Sequence, residues 1–581
     1  MRVERCYAAI FALCGALGCS DLPGASERGD GIDLDGGGSA SDDDADDGVE
    51  EGTPEDDGEA SGTSSAGDDE SGGDDGPPSE FPELLPAGIR RLTMAEYRAS
   101  VRALFGIPLP DDVQLPPDAL QDAFRRNHAQ RLDPVLAKLL DSNARRIAAE
   151  VTAQVDSLAP CTGGAPQEDC ARTFVITYGG KAYRRPLTDD EVAGFLELYR
   201  IGAEDGSYGE GIGLVARALL QSSGFLYLTE LGDGAQGQDR IALSPYEIAA
   251  AISYLAVAEP PDDALVAAAS DGSLVDPSVR LAHFDRLVTR DGNANATLLR
   301  TLREWLGIDG IAAIAKDSNV YPQFAALREA MDRESLDFIA EVLASQGTVG
   351  ELLAADWTIA DSALAQAYGV GGTGRISLAS TNRRGVINQG GFLSVFAHAT
   401  ESATILRGVA ILRRLLCYPV PSPTSLNIMI VPPLPDPNKT TRERFEIHAA
   451  DPACAACHKS IDNVGFTFEG FDGMGMARPN GMENNQLVDT RTSLAIGVDI
   501  DGPFEHSGGL ALALAASEDV RQCFARHMFR SAAARSDGES KAAEEEFLAA
   551  WAENPGAAGG HILETLRVYV ASESFAFRRG R

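Results

Sequence analysis

From Phe81 onward, apolar residues recur at helical spacing, and the runs open on recognisable start signals. Thr93-Met94-Ala95-Glu96 is a capping box; Tyr97, Val101, Leu104 and Phe105 follow on one face, and Gly106 stops the run. Asp133-Pro134 opens a second helix bearing Leu136, Leu139, Leu140, Ile147 and Val151. Thr188 with Glu191 caps a third, with Val192, Phe195, Leu196 and Tyr199 inward, and Ser244 with Glu247 caps a fourth carrying Ile248, Ile252 and Leu255. Further helical stretches are expected near 209–230, 276–290, 296–306, 323–345 and 401–417. Strand signals are scarce and short. Trp305 and Trp357 sit among apolar helix positions and read as core. The pattern predicts a mainly α, multi-domain helical assembly rather than one bundle.

The first 80 residues follow different rules. Arg2 and Arg5 precede an apolar stretch from Tyr7 to Leu17, and Ala16-Leu17-Gly18-Cys19 closes it. A charged end, an apolar run and small residues describe a secretory signal over 1–18. Cleavage before Cys19 resembles bacterial lipoprotein processing, with Ala16 where Leu is usual, so Cys19 is the expected lipidation site. An ordinary signal peptide is the alternative. Residues 21–80 hold 22 acids against one Arg, about −21 of the formal net charge of −38. Such a segment buries too little apolar surface to offset the entropy of ordering, and its charges repel, so an acidic, disordered tether is expected over 19–82.

The acid excess argues against nucleic acid as a partner, since phosphate neutralisation needs clustered Lys and Arg. Beyond the signal no apolar run is long enough to span a bilayer, so membrane contact is expected through the lipid anchor only. No phosphate-binding or dinucleotide-binding glycine loop and no HExxH zinc motif occurs. No carboxylate pair or serine context marks a hydrolase.

One segment carries chemistry: Cys454-Ala455-Ala456-Cys457-His458. C-x-x-C-H is the attachment sequence for haem c. Two Cys one helical turn apart can reach the two vinyl groups of one porphyrin as thioethers, and the adjacent His can ligate its iron. A redox disulfide or a zinc site is the competing reading, but the former lacks a βαβ context and the latter lacks two more nearby ligands. A Pro-rich connector (Pro419 to Pro437) leads in, Thr440 with Glu443 can cap a short helix ending near Ala450, and an aromatic, Gly-rich loop runs from Gly465 to Gly473.

These residues resemble the large secreted haem-motif proteins of planctomycetes and myxobacteria, in which uncharacterised domains surround a planctomycete-type cytochrome c segment. The matching stretches are Arg90 to Tyr97, Tyr183 to Thr188, Arg383 to Val386, Arg407-Gly408, Thr441 to Arg444, Asp451 to His458, and Gly465-Phe466 through Phe471-Asp472. The resemblance spans roughly 85–581 and implies a single multi-domain haem protein of the cell envelope. It supplies no substrate. Family members often carry Met and then Asp-Pro shortly after the haem His; here the stretch is Ile461-Asp462-Asn463.

For the distal iron ligand, Met474 and Met476 are the first candidates, with Met482 nearby. His398, at a position often His in the family, is the rival, and His448, His506 and His527 are weaker. An open site is the remaining alternative. Cys161, Cys170, Cys417 and Cys523 suggest two disulfides: Cys161–Cys170 as a local bridge, and Cys417–Cys523 tying the helix before the connector to the C-terminal region. Two free thiols are the alternative to the second. The expected partition after the tether is helical domains over 83–155, 156–235 and 236–370, a connector and haem domain over 371–490, and a C-terminal helical domain over 491–581. The functional expectation is an exported c-type cytochrome at the periplasmic face or surface of the outer membrane, passing single electrons to an envelope redox partner. A haem oxidoreductase acting directly on a substrate, and a binding or scaffold protein with structural haem, are the alternatives.

Overall fold

The computed structural model describes residues 81–109, 115–204, 206–232, 238–290, 295–421, 436–446, 452–536 and 540–580. The expectations for the signal, Cys19, the tether up to residue 80, most of the Pro-rich connector and His448 lie outside them, as do the side chains of Cys454 and Cys457.

Helices dominate, and the start signals read from sequence are realised as hydrogen bonds. Thr93 and Glu96 exchange capping-box bonds at the head of α1 (Met94–Phe105), which ends on Gly106 at φ 69°. Asp133 caps α2 (Pro134–Ala153) through the Leu136 N–H. Then follow α3 (Asp189–Glu204), α4 (Tyr208–Gln221), α5 (Pro245–Ala256), α6 (Pro277–Val288), α7 (Ala296–Leu306) and α8 (Phe324–Ala344). The second half holds α9 (Thr404–Leu415), α10 (Pro452–Phe466), α11 (Ser507–Ala516), α12 (Glu518–Ala533) and α13 (Ile562–Ala571), with shorter helices between.

Strands among the described residues pair only as two-stranded antiparallel ribbons. These are β1 (Gly88–Arg91) with β2 (Tyr227–Glu230), β3 (Arg240–Ala242) with β10 (Phe577–Arg579), and β4 (Trp357–Ala360) with β5 (Gly374–Ser377). Two small hairpins follow: β6 (Met482–Glu483) with β7 (Gln486–Leu487), and β8 (Thr492–Leu494) with β9 (Gly502–Phe504).

Two expectations are corrected. The helix expected over 209–230 stops at Gln221: Ser222 turns extended and caps a short new turn, after which Tyr227–Glu230 is drawn into pairing with Gly88–Arg91. Trp357 lies in a strand, half-buried, with the Arg375 guanidinium 3.8 Å from its ring centroid. A short apolar run has no periodicity long enough to separate strand from helix. Trp305 is fully buried as expected, its Nε1–H donating to the Arg414 carbonyl at 2.8 Å.

The two ends of the helical body meet. The Arg579 N–H donates to the Leu85 carbonyl and β10 closes on β3, while one apolar core runs from Leu85 to Ala576. Buried arginines finish several helix ends. Arg280 on α6 donates to the carbonyls of Val570, Ala571 and Ser572 at the end of α13, satisfying acceptors that a helix terminus leaves open. No described helix is long and apolar enough to cross a membrane.

Candidate functional site

Cys454, Cys457 and His458 all lie on the first two turns of α10, whose first residue is Pro452, a position where the missing N–H costs nothing. At 3.6 residues per turn, positions i, i+3 and i+4 share one face. Asp462, four residues after His458, lies one turn further along the same helix. Its buried carboxylate accepts a hydrogen bond from His458 Nδ1 at 3.2 Å, and that bond raises the imidazole pKa. An ionised carboxylate can only accept, which places a proton on Nδ1 and makes Nε2 the candidate nitrogen for a metal. His458 is 26% exposed against 3% for Asp462, so the imidazole stands at the surface while its partner is anchored inside.

α10 is held by its neighbours through close backbone approach and buried arginines. A Cβ at Gly408 on α9 would lie 2.2 Å from the Ile461 carbonyl oxygen, and one at Gly465 would lie 2.2 Å from that of Thr404, so the two helices cross at backbone contact. Beside the crossing, the fully buried Arg407 donates to the carbonyls of Phe468, Phe471, Asp472 and Leu393, pinning the loop that follows α10. Arg383 does the same farther along, donating to the Gly475 and Asn388 carbonyls while sandwiched against the Tyr368 and Phe471 rings. Glu469, fully buried, accepts from the Ser402 and Thr404 hydroxyls. The short helix Thr441–Phe445 completes the frame: Thr441 donates to Glu483, and Arg442 donates to the carbonyls of Asp489 and Arg491 and lies over the Phe466 ring. Arg383, Arg407, Gly408, Thr441 and Gly465, which carry part of the resemblance, thus form scaffold around α10.

The other candidates are placed as follows. Met474 and Met476 are 1% and 7% exposed and belong to the apolar core. Their N–H groups donate to Asp472 Oδ1, and the Met476 methyl packs toward Gly390 beside that of Met331. Met482 is partly exposed in β6. His398 is an exposed side chain whose carbonyl accepts from Lys316 Nζ. His506 caps α11, its Nδ1 accepting from the Gly509 N–H. His527 is buried, its Nε2 3.4 Å from the Arg413 carbonyl oxygen, and burial pushes it down to about 4.

Cys161 is bonded to Cys170 and Cys417 to Cys523. Cys417, Cys523 and His527 cluster closely enough for a metal, but the two sulfurs are joined to each other and are not thiolates. The second disulfide ties the end of α9 to α12.

The sequence pattern did not reveal Asp462 as the partner of His458. The i, i+4 spacing of a helical His and Asp was the available signal. As a haem c site, the donor set fits: two cysteine positions one turn apart, an adjacent imidazole, and a carboxylate on its Nδ1 of the kind that orients metal-bound histidine.

Four family models match successive parts of the chain, each described as a protein of unknown function. They are PSD3 (DUF1587) over residues 90–153, PSD5 (DUF1595) over 170–230, PSD4 (DUF1592) over 243–370 and PSCyt3 (DUF1588) over 383–481. The chain is therefore similar to planctomycete-type multi-domain families, and the stretch holding α10 matches the one with a cytochrome name. Comparison with curated proteins and with solved structures finds no match.

Proposed function

We propose that this chain is an exported c-type cytochrome that carries out single-electron transfer, with haem c attached to Cys454 and Cys457 and ligated by His458. The observation that carries this reading is the Cys-Ala-Ala-Cys-His sequence on the opening turns of α10, with His458 Nδ1 engaged by a buried carboxylate. Two disulfides and the signal-like N-terminus support export, with Cys19 as the lipid anchor at the outer membrane and an envelope protein as redox partner.

When bound, the haem supplies a one-electron couple at its iron. The chain's own residues do the rest. Asp462 fixes the tautomer and ring orientation of His458 and makes it a more basic ligand. Arg407 and the Gly408–Ile461 and Gly465–Thr404 contacts fix α10 against α9 and the following loop, which would hold His458 in place as a ligand.

A second reading, a haem oxidoreductase acting directly on a substrate, is favoured by one specific observation. Met474 and Met476, first candidates for the distal ligand, are engaged in core packing. Purified haem-loaded protein distinguishes the two. A reversible one-electron titration with no carbon monoxide binding to the reduced form supports the carrier. Ready carbon monoxide binding moves the assignment to the oxidoreductase, and a haem with no accessible couple contradicts both.

A further inference from the structure

A cavity of about 50 Å³ lies far along the chain from α10, where α1, the 118–126 segment, α5, α7, α12 and α13 meet. That is room for a few waters or one small polyatomic ion. Its walls carry charges of both signs, and what matters is which of them are already satisfied. Glu96 is held in a fork by Arg90 at 2.7 and 2.8 Å and accepts from the Thr93 N–H. Asp118 accepts from Arg91 and from the Met94 N–H. Glu304 accepts from the Arg125 backbone and guanidinium. All three carboxylates on the wall are committed.

Two guanidiniums face these carboxylates only at longer range, Arg126 as a 3.8 Å ion pair with Glu96 and Arg300 through the charge of Glu304. Among the described residues Arg126 makes no hydrogen bond: its Nε is buried without a partner, and its nearest carboxylate oxygen, on Glu96, stands 3.8 Å away. Burial and the neighbouring Arg90 push the Arg126 pKa down to about 10, against the opposing pull of Glu96 and Glu230. Arg300, half-buried on α7 one turn before Glu304, has no hydrogen bond or salt bridge among the described residues. An enclosed guanidinium N–H without an acceptor, such as the Arg126 Nε–H, is costly, and a planar fork of N–H groups matches an oxyanion best.

We propose that this cavity binds a small oxyanion, such as sulfate or a short carboxylate, between Arg126 and Arg300. The site is separate from the haem reading and stands or falls without it.

The test uses the full chain titrated with sodium sulfate and with sodium acetate against chloride at constant ionic strength, followed by calorimetry and by thermal melting. Expected is a saturable rise in melting temperature with a matching binding isotherm for at least one oxyanion. The affinity should fall at least tenfold in Arg126→Gln and in Arg300→Gln. Arg300 is half-exposed, so its variant folds even if the Arg126 variant does not. A non-saturable rise of equal size in wild type and variants, which is the general effect of an excluded salt, would overturn the proposal. So would the absence of any isotherm.

Discussion

Asp462 shows how one buried carboxylate can set the character of a site it does not occupy. It is anchored inside while His458 reaches the surface, and the 3.2 Å bond between them puts anionic character behind the ligand nitrogen. A more basic imidazole favours the oxidised metal. Asp462→Asn is therefore expected to raise the midpoint potential of the haem-loaded protein while leaving the haem covalently attached. An unchanged potential in a redox titration counts against the role given to Asp462. Glu334 is a second buried carboxylate, and its role is structural. It accepts from the Thr358 and Tyr368 hydroxyls under the loop that Arg383 holds. Burial raises it from 4.5 to about 7. The unfolded chain gives up this proton near pH 4.5 and the folded chain near pH 7, so stability present below that window is lost as pH rises through it. Glu334→Gln should flatten this part of the stability–pH curve measured by denaturant unfolding; an unaltered slope would show that Glu334 is not its source.

At the scale of elements, the crossing of α9 and α10 has no room for a side chain at Gly408 or Gly465. Gly408→Ala should cost at least about 2 kcal/mol, because the atom it meets is backbone and cannot rotate away. Chemical denaturation measures this, and a cost near zero would mean the helices sit farther apart. Much at this scale was legible in the sequence. The capping boxes at Thr93, Ser244 and Thr440 are local patterns read within four residues, and each forms. The contacts of Arg407 and Arg383 were not legible as contacts. Those that reach the loop after α10 join residues 61 to 92 positions apart, so these arginines showed themselves only as parts of a resemblance. Asp462 was local, yet it stood out as a departure from a pattern rather than as a partner. Met474 and Met476 fell where a ligand is wanted, but spacing alone does not distinguish a thioether aimed at a metal from one filling a core.

Across the described body, one core and the meeting of its two ends make the helices a single unit. The Cys417–Cys523 disulfide closes a loop of 106 positions that contains α10. Replacing both cysteines by Ala should lower stability by about 2–4 kcal/mol. The same change at Cys161 and Cys170, nine apart, should cost less, and equal losses would contradict a loop-length origin. Every cytochrome assignment rests on α10 carrying haem c. The most direct measurement is to express the full chain in a periplasm with haem c maturation, denature it, and stain the gel for haem. The account predicts a haem band at the size of this chain that is lost in the double variant Cys454→Ala with Cys457→Ala. Folded protein with no covalent haem, from cells that mature a control cytochrome, would contradict it.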